Sequence, residues 1–219
     1  MAKLVWDETG KHFYETGTDR AVLFPQTGSD GAYGAGVAWS GLTGVTESPS
    51  GADETALYAD NQKYLSLRSA EEFGGTITAY QYPDEWEQCD GSAELTPGVV
   101  LGQQTRTPFG LCYRTLLGND AKRNDYGYKL HFIYNATVSP SERAYQTVND
   151  SPEAIEFSWE FDTTPINVDG FKSVSCITVD STKVSADALK KLEDMVYGTA
   201  DAEPQLPLPA DFKTIFAAD

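Results

Sequence analysis

A chain of 219 residues can bury a substantial core as one all-β domain, and its 40% hydrophobic and 22% charged residues are ordinary for a soluble globular protein. Its formal net charge of -17 repels phosphates, which argues against tight or sequence-specific binding of nucleic acid. No apolar stretch is long enough to span a membrane and charge follows the first residues at once, so neither a membrane span nor an export signal is expected.

The N-terminal third begins with short strands and turns. Apolar runs at residues 4–6 and 21–24 are separated by Gly10 and Gly17, which predicts an edge hairpin or an arm. Residues 26–36 are rich in glycine, as in phosphate-binding loops. No Lys-Ser/Thr pair and no convincing helix follow them, so a flexible loop is favoured.

A long hairpin is predicted within residues 54–91. Residues 58–67 form the outgoing arm, Gly74-Gly75 lies near the turn, and residues 76–82 return. Such a hairpin would project about 25 to 30 Å at roughly 3.3 Å per residue. An isolated two-stranded ribbon of that length is only marginally stable in water. The hairpin must therefore lie on its own domain or dock onto another copy of the chain.

The middle of the chain alternates between irregular segments and strands. Residues 83–89 predict one or two helical turns that end at Gly91. The acidic side chains in this segment are interpreted as a solvated face that complements the helix dipole. Residues 96–109 show no period and predict a loop that a neighbour can order. A strand follows at residues 111–117.

Two strands show a clear alternation. Residues 126–135 place aromatic and apolar side chains on one face and Lys129, His131 and Asn135 on the other. Residues 155–162 place Ile155 and three aromatic residues on the packed face. Their opposite face carries three carboxylates, those of Glu156, Glu160 and Asp162.

The three carboxylates admit three interpretations. A divalent-cation site is disfavoured because no calcium-loop motif supplies further oxygen ligands. A solvated face is the ordinary interpretation. The third is a negative wall inside a ring of identical subunits.

The C-terminal part contains one strong helix. A strand is predicted at residues 171–179 and a helix at residues 186–197, capped by Ser185 and ended by Gly198. Residues 201–219 are rich in proline and predict a linker with an apolar end, disordered alone or docked on a neighbour.

No reaction signature is evident in the sequence. His12 and His131 lack a recognisable nucleophile motif, and three scattered cysteines without a CxxC pair predict free, buried thiols in a reducing cytoplasm. No catalytic residue, metal ligand or cofactor is therefore predicted. A carboxylate-pair hydrolase remains an open alternative, since sequence spacing does not exclude two acids meeting in space.

Several motifs between residues 37 and 91 resemble the major tail protein, or tail tube protein, of long-tailed, non-contractile bacteriophages. They are Trp39-Ser40-Gly41-Leu42, the bend Glu47-Ser48-Pro49-Ser50-Gly51-Ala52, Tyr58-Ala59-Asp60-Asn61, Glu72-Phe73-Gly74-Gly75 and Tyr82-Pro83-Asp84-Glu85-Trp86. The later order of strands and a single helix is similar too. These motifs are structural, and fold alone does not determine function.

The resemblance implies a mainly β fold of two packed antiparallel sheets, a sandwich or half-barrel, with one flanking α-helix and a long projecting hairpin. It implies one domain over residues 1–200, with the hairpin excursion at about 54–91 and the Pro-rich tail at 201–219. Hexameric rings would stack into a tube, assembled in the host bacterial cytoplasm and found in the virion tail. The hairpin residues expected to stack rings are Tyr58, Tyr64, Leu65, Leu67 and Phe73.

The implied partners are other copies of the chain, a tape measure protein, and tail terminator and baseplate proteins, with no membrane. DNA would pass through the lumen without specific binding, repelled by Glu156, Glu160 and Asp162. The alternative function is a β-sandwich module of a virion surface that binds carbohydrate or a host protein. The abundance of tryptophan and tyrosine favours it, although alternation places Trp159 inside.

Overall fold

The structure, a computed structural model, describes residues 4–28, 30–147 and 154–217. The strands are β1 Phe13–Pro25, β2 Val37–Trp39, β3 Leu42–Glu47, β4 Ser50–Gly51, β5 Glu54–Ala59, β6 Gln62–Arg68, β7 Glu71–Glu72, β8 Gly74–Ala79, β9 Ala93–Thr96, β10 Val99–Leu101, β11 Phe109–Asn119, β12 Arg123–Val138, β13 Phe157–Thr163 and β14 Cys176–Asp180. A 3₁₀ turn, Asp84–Trp86, leads into α1 Glu87–Asp90, and two longer helices follow, α2 Ala186–Tyr197 and α3 Pro209–Phe216. No helix of this described part has the length and apolar character needed to cross a membrane.

The main sheet is antiparallel and contains eight strands. Its order is β2-β1-β11-β12-β13-β8-β3, and β14 pairs with the middle of the long strand β12 at residues 129–133. The two ends of this path, β2 and β3, follow each other in the chain, and Gly41 at their junction accepts a hydrogen bond from the Tyr80 amide. The sheet therefore curves around an interior. The predicted fold class is confirmed as mainly β, with antiparallel sheets and a flanking helix.

An inner core fills the curve of the sheet. Three tryptophans meet in it: Trp86 lies 4.5 Å from Trp39 and 5.3 Å from Trp159 between ring centroids. Phe109 contacts Trp86 edge to face at 4.9 Å. Offset and edge-to-face aromatic pairs add about 0.5 to 1.5 kcal/mol each beyond the burial of their area. The short helical segment 84–90 therefore closes the interior of the sheet.

An outer core lies on the opposite face of the same sheet. Leu192 and Val196 of α2 pack there against Leu130 and Phe132 of β12. The predicted helix and its caps are confirmed, since α2 spans Ala186–Tyr197, Ser185 accepts a hydrogen bond from the Ala188 amide at 3.2 Å, and Gly198 follows the last turn. The apolar stripe of α2 is what fixes the helix on the sheet.

The Pro-rich segment after α2 packs on its own domain, where a disordered linker was expected. Tyr134 donates a hydrogen bond to the Pro207 carbonyl at 2.8 Å, and the Gly36 amide donates to the Pro204 carbonyl at 2.9 Å. Phe212 of α3 then meets Phe132 with ring centroids 5.2 Å apart. The prolines suit an extended segment that needs few of its own amide donors, and the outer core supplies the apolar surface that orders it.

The predicted hairpin exists, but its turn is misplaced in the prediction. The chain reverses at Asp60-Asn61, both with positive φ (52° and 61°), and not at Gly74-Gly75. Gly74 and Gly75 begin β8 inside the main sheet, where a Cβ on Gly75 would lie 2.3 Å from the Thr46 carbonyl oxygen. These glycines therefore permit close approach of strands, a role that sequence cannot distinguish from a turn.

Four smaller expectations are also corrected. A single bulged strand, β1, replaces the two short N-terminal strands, with Gly17 and Arg20 at positive φ beside its register shifts. The strand expected at residues 171–179 begins only at Cys176, and Phe171 is exposed. Ile155 precedes β13 and is exposed, because pairing with β8 starts at Phe157. The loop expected at residues 96–109 contains the turn and second strand of the β9-β10 pair.

Candidate functional site

The most conspicuous surface is the projecting ribbon, defined as β5 and β6 with their turn, residues 54–68. Its strands are antiparallel and pair only with each other among the described strands. It joins the main sheet through the short β4-β7 pair, where Gly51 and Ala52 both have positive φ. Two consecutive residues in the left-handed region turn the chain sharply between the two strand pairs.

The projecting ribbon has two chemically different faces. Leu57 lies opposite Leu65, and Leu67 lies opposite Thr55, so three leucines share one face. On the other face, Glu54 accepts hydrogen bonds from Lys63, Ser66 and Arg68. The bonds from Lys63 and then Ser66 hold the pKa of Glu54 below its usual value. The ion pairs solvate one face well, whereas Leu57, Leu65 and Leu67 on the other face are exposed.

Four of the five residues predicted to stack rings lie on this ribbon and are exposed. Tyr58 and Tyr64 are 73% and 71% exposed, and Leu67 is 55% exposed; Leu65 is exposed as well. Phe73 does not belong with them. It packs against the inner core, and its carbonyl accepts hydrogen bonds from the amide and hydroxyl of Thr163. Its position just before β8 places it at the base of the ribbon, apart from the four exposed residues.

The second surface is the acidic strand face, defined as Glu156, Glu160 and Asp162. On β13, Trp159 and Phe161 point into the inner core, so the alternating Glu160 and Asp162 point outward and are exposed. Glu156 lies just before the strand and accepts a hydrogen bond from Thr43. The predicted alternation is confirmed for residues 157–162. All three carboxylates lie on the outer side of the sheet.

In the described part of the chain, these three acids have no cation beside them, whereas several other acids are paired. Asp19 pairs with Arg114 at 2.6 Å, Glu15 with Lys129 at 2.5 Å, and Asp194 with Lys190 at 2.8 Å. The Arg114 guanidinium holds the pKa of Asp19 below its usual value. Within residues 4–28, 30–147 and 154–217, no salt bridge includes any of the three acids. Their negative potential is therefore not neutralised locally.

Groups capable of covalent chemistry lie apart from these surfaces. The ring of His131 stacks on Tyr113 with centroids 4.7 Å apart, and burial lowers the pKa of this histidine. Its Nε2 lies 2.9 Å from the Thr115 hydroxyl. Burial raises the pKa of Cys89 to about 12 and also raises that of Cys112 and Cys176. The three thiols are free, as predicted, and are held in their weakly nucleophilic protonated form.

An open groove of about 1110 Å³ lies elsewhere, between residues 31–35, Ile166 and the C-terminal segment. Leu206 and Leu208 line it, together with Glu203 and Lys213. None of the predicted site residues belongs to this lining. The groove therefore adds no support to a role for those residues in binding a small molecule.

Sequence reasoning missed a second ribbon, defined as β9 and β10 with their turn, residues 93–101. Its turn is Pro97-Gly98, with Gly98 at φ 81° and its amide bonded to Glu94 Oε1 at 2.9 Å. Leu95, Val99, Val100 and Leu101 are all exposed, Leu95 by 63%. The Pro-Gly pair between apolar residues was a signal for this hairpin, because it suits a two-residue turn.

No protein-family model matches the chain, and no curated protein matches it at the significance required.

Proposed function

We propose that this chain is a structural virion subunit whose hexameric rings stack into the tail tube of a long-tailed, non-contractile bacteriophage and conduct DNA to the host during ejection. The observation that carries this proposal is the projecting ribbon, with three leucines exposed on one face. A surface of this kind on a folded subunit is typical of a protein-protein contact. The motif resemblance between residues 37 and 91 supplies the identity of the assembly.

The energetics favour an intermolecular partner for the ribbon. A two-stranded ribbon has little stability of its own in water. Full burial of a leucine side chain contributes about 1.5 to 3 kcal/mol, so covering the exposed parts of Leu57, Leu65 and Leu67 contributes about 3 kcal/mol per subunit. In a hexameric ring, each of the six subunits makes this contact with the neighbouring ring. Weak contacts between single subunits thus become strong contacts between rings.

The acidic strand face is a second, independent observation that supports the same proposal. A bore that conducts DNA must not hold it, and unpaired carboxylates repel phosphates. Glu160 and Asp162 are exposed and belong to none of the salt bridges within the described residues, as required of a wall that faces DNA. In the proposed tube these residues line the lumen, and tape measure, tail terminator and baseplate proteins are the further partners.

Electron microscopy of the purified protein tests the proposal. Concentrated protein in negative stain should show tubes of uniform bore at about 0.15 M salt. Where charge repulsion between subunits limits assembly, tubes should form at about 0.5 M salt, because the higher salt shortens the Debye length. Sedimentation at matched concentrations measures the polymer fraction. Protein that remains monomeric at every concentration and salt condition contradicts the proposal.

The acidic strand face can be tested within the assembled tail. The double substitution Glu160→Lys/Asp162→Lys should leave tubes intact, because both side chains are exposed, but should slow DNA ejection at least about tenfold by attracting phosphates. Ejection triggered in vitro and followed with a DNA-binding dye measures the rate. Glu203→Lys, a change of the same sign at another exposed acid, is the control. Equal ejection rates would place residues 160 and 162 outside the lumen.

The alternative, a carbohydrate- or host-protein-binding module, is favoured by the exposed rings of Tyr58 and Tyr64. Tyrosine presents an apolar body with a polar tip, which suits sugars and protein surfaces. Trp39, Trp86 and Trp159 are buried and supply no such platform. The same preparation separates the two functions, because a binding module gives monomers with affinity on a glycan or host-surface array.

A further inference from the structure

A half-buried histidine, His131 of β12, has a carboxylate near each of its two ring nitrogens. Its side chain is 14% exposed, and its Nε2 lies 3.4 Å from Glu15 of β1. Its Nδ1 lies 3.9 Å from Glu47, the last residue of β3. The ring lies flat on Tyr113 of β11, with 4.7 Å between the ring centroids and 4° between the planes. One imidazole therefore contacts side chains from several strands of the main sheet.

The hydrogen bonds around this ring are complete when His131 is neutral. The Thr115 hydroxyl donates to Glu15, which leaves the Thr115 oxygen to accept from Nε2–H of His131 at 2.9 Å. Nδ1 is then the acceptor, and the Thr178 hydroxyl lies 3.4 Å from it. Protonation adds a hydrogen at Nδ1, the nitrogen to which Thr178 donates. The carboxylate closest to that new donor is the one of Glu47.

Glu47 also connects the histidine to the base of the projecting ribbon. It pairs with Gly75 where β3 and β8 end, and the next amide, that of Ser48, donates to the Gly74 carbonyl at 2.8 Å. The β4-β7 pair follows directly and carries the ribbon. The Glu47 carboxylate accepts a hydrogen bond from the Tyr113 hydroxyl at 2.5 Å. A change in the partner of Glu47 is therefore a change at the ribbon base.

Burial and the neighbouring charges act on His131 in opposite directions. Burial is the largest effect and lowers the pKa of His131, and the Lys129 cation on the same strand lowers it further. Glu47 and Glu15 raise it, but by less in sum, so that the pKa stays below its usual value. The titratable groups around the ring in the described residues are Glu15 of β1, Glu47 of β3, Tyr113 of β11, Lys129 of β12, Cys176 of β14 and, acting on Cys176, Glu71 of β7.

The lowered pKa makes the cluster sensitive to acid. An unfolded histidine titrates near pH 6.5, so the unfolded chain takes up this proton before the folded chain does. The contribution of neutral His131 to stability is therefore fully present above about pH 6.5. It is lost as the pH falls from there through the lower pKa of the folded state.

We propose that His131 is an acid-sensitive switch at the base of the projecting ribbon. Its protonation draws the Glu47 carboxylate from the Tyr113 hydroxyl to the new Nδ1–H donor, and so loosens the junction between β3 and the ribbon. The switch consumes one proton from solvent and changes only hydrogen bonds. It does not depend on what the ribbon contacts, so it can fail while the proposed function holds, and the reverse.

Hydrogen exchange followed by mass spectrometry tests the switch, whether the protein is single or assembled. Exchange of the imidazole C2 proton, between about pH 8 and pH 4.5, gives the midpoint at which His131 is protonated. Amide exchange in peptides covering residues 42–52 and 69–76, corrected for the intrinsic effect of pH, reports opening of the ribbon base. These amides should exchange at least about threefold faster once His131 is protonated.

Three substitutions separate the switch from a merely structural role. His131→Gln keeps a planar donor and acceptor but does not titrate, so the acid-dependent opening should disappear. Glu47→Gln keeps a group that accepts from Tyr113 but removes the charge that favours the imidazolium, so the midpoint of His131 should move to lower pH. His12→Gln, at a histidine whose side chain is 53% exposed, is the control and should behave like the wild type.

The results that overturn the switch are equally specific. Ribbon-base opening in His131→Gln with the same pH dependence as the wild type assigns the effect to other groups. A His131 midpoint that does not move in Glu47→Gln removes the link to the ribbon. A His131 that stays neutral down to the pH of global unfolding removes the switch altogether.

Discussion

Leu57→Ser/Leu67→Ser is expected to abolish tubes at protein concentrations where the wild type polymerises fully. Both leucines lie on the same face of the projecting ribbon, Leu57 opposite Leu65 and Leu67 opposite Thr55. Their replacement removes about 2 kcal/mol of apolar burial from each subunit contact, which is about thirtyfold in the contact's equilibrium constant. Where rings stack, the loss applies to every subunit of the ring at once. Pelleting and electron microscopy over a concentration series measure the shift.

The substitution should leave the fold unchanged, which makes the result interpretable. Neither leucine belongs to the inner or outer core, so thermal unfolding should shift by no more than a few degrees. Ser66→Ala, on the opposite face of the same ribbon, is the matched control and should still form tubes. Tubes formed by the double variant at the wild-type concentration would show that the leucine face does not stack subunits.

Trp86→Ala should give the largest loss of stability in the chain. Trp86 is fully buried where the 3₁₀ turn enters the sheet, and its ring contacts Trp39, Phe109 and Trp159. Truncating a buried tryptophan removes transfer free energy and leaves a cavity, at a cost of about 3 to 5 kcal/mol. For a chain of this size that corresponds to a fall in melting temperature of about 10 °C. Urea unfolding followed by circular dichroism measures it.

Trp6→Ala is the matched control, since Trp6 is 75% exposed and its loss should change stability by less than about 0.5 kcal/mol. A cost below about 1 kcal/mol for Trp86→Ala would mean that the inner core closes without this ring.

The sequence predictions that agree best with the structure concern single elements with a clear periodicity. The helix at residues 186–197 was predicted with its bounds and both caps, because its apolar stripe and capping residues are local features. The inward direction of Trp159 and Phe161 followed from alternation alone. The exposure of Glu160 and Asp162 followed from the same pattern.

The errors arose where several local signals competed. The prediction placed the turn within residues 54–91 at Gly74-Gly75, whereas strand pairing places it at Asp60-Asn61. Gly75 lies beside Phe161 and Thr46, residues far away in sequence, and the need for space between those strands explains the glycine. The Pro-rich tail was misassigned for a related reason, since its order depends on Phe132 and Tyr134.

The sequence by itself determined the β class, the flanking helix, the acidic character of the surface and the presence of a long hairpin within residues 54–91. These properties depend on composition and on periods of two or 3.6 residues, which are local. Tertiary structure alone decided where the ribbon turns and that Phe73 lies at its base. It also decided that residues 93–101 form a second apolar ribbon. Those features depend on which distant strands pair, and register between distant strands is set by packing across the whole sheet.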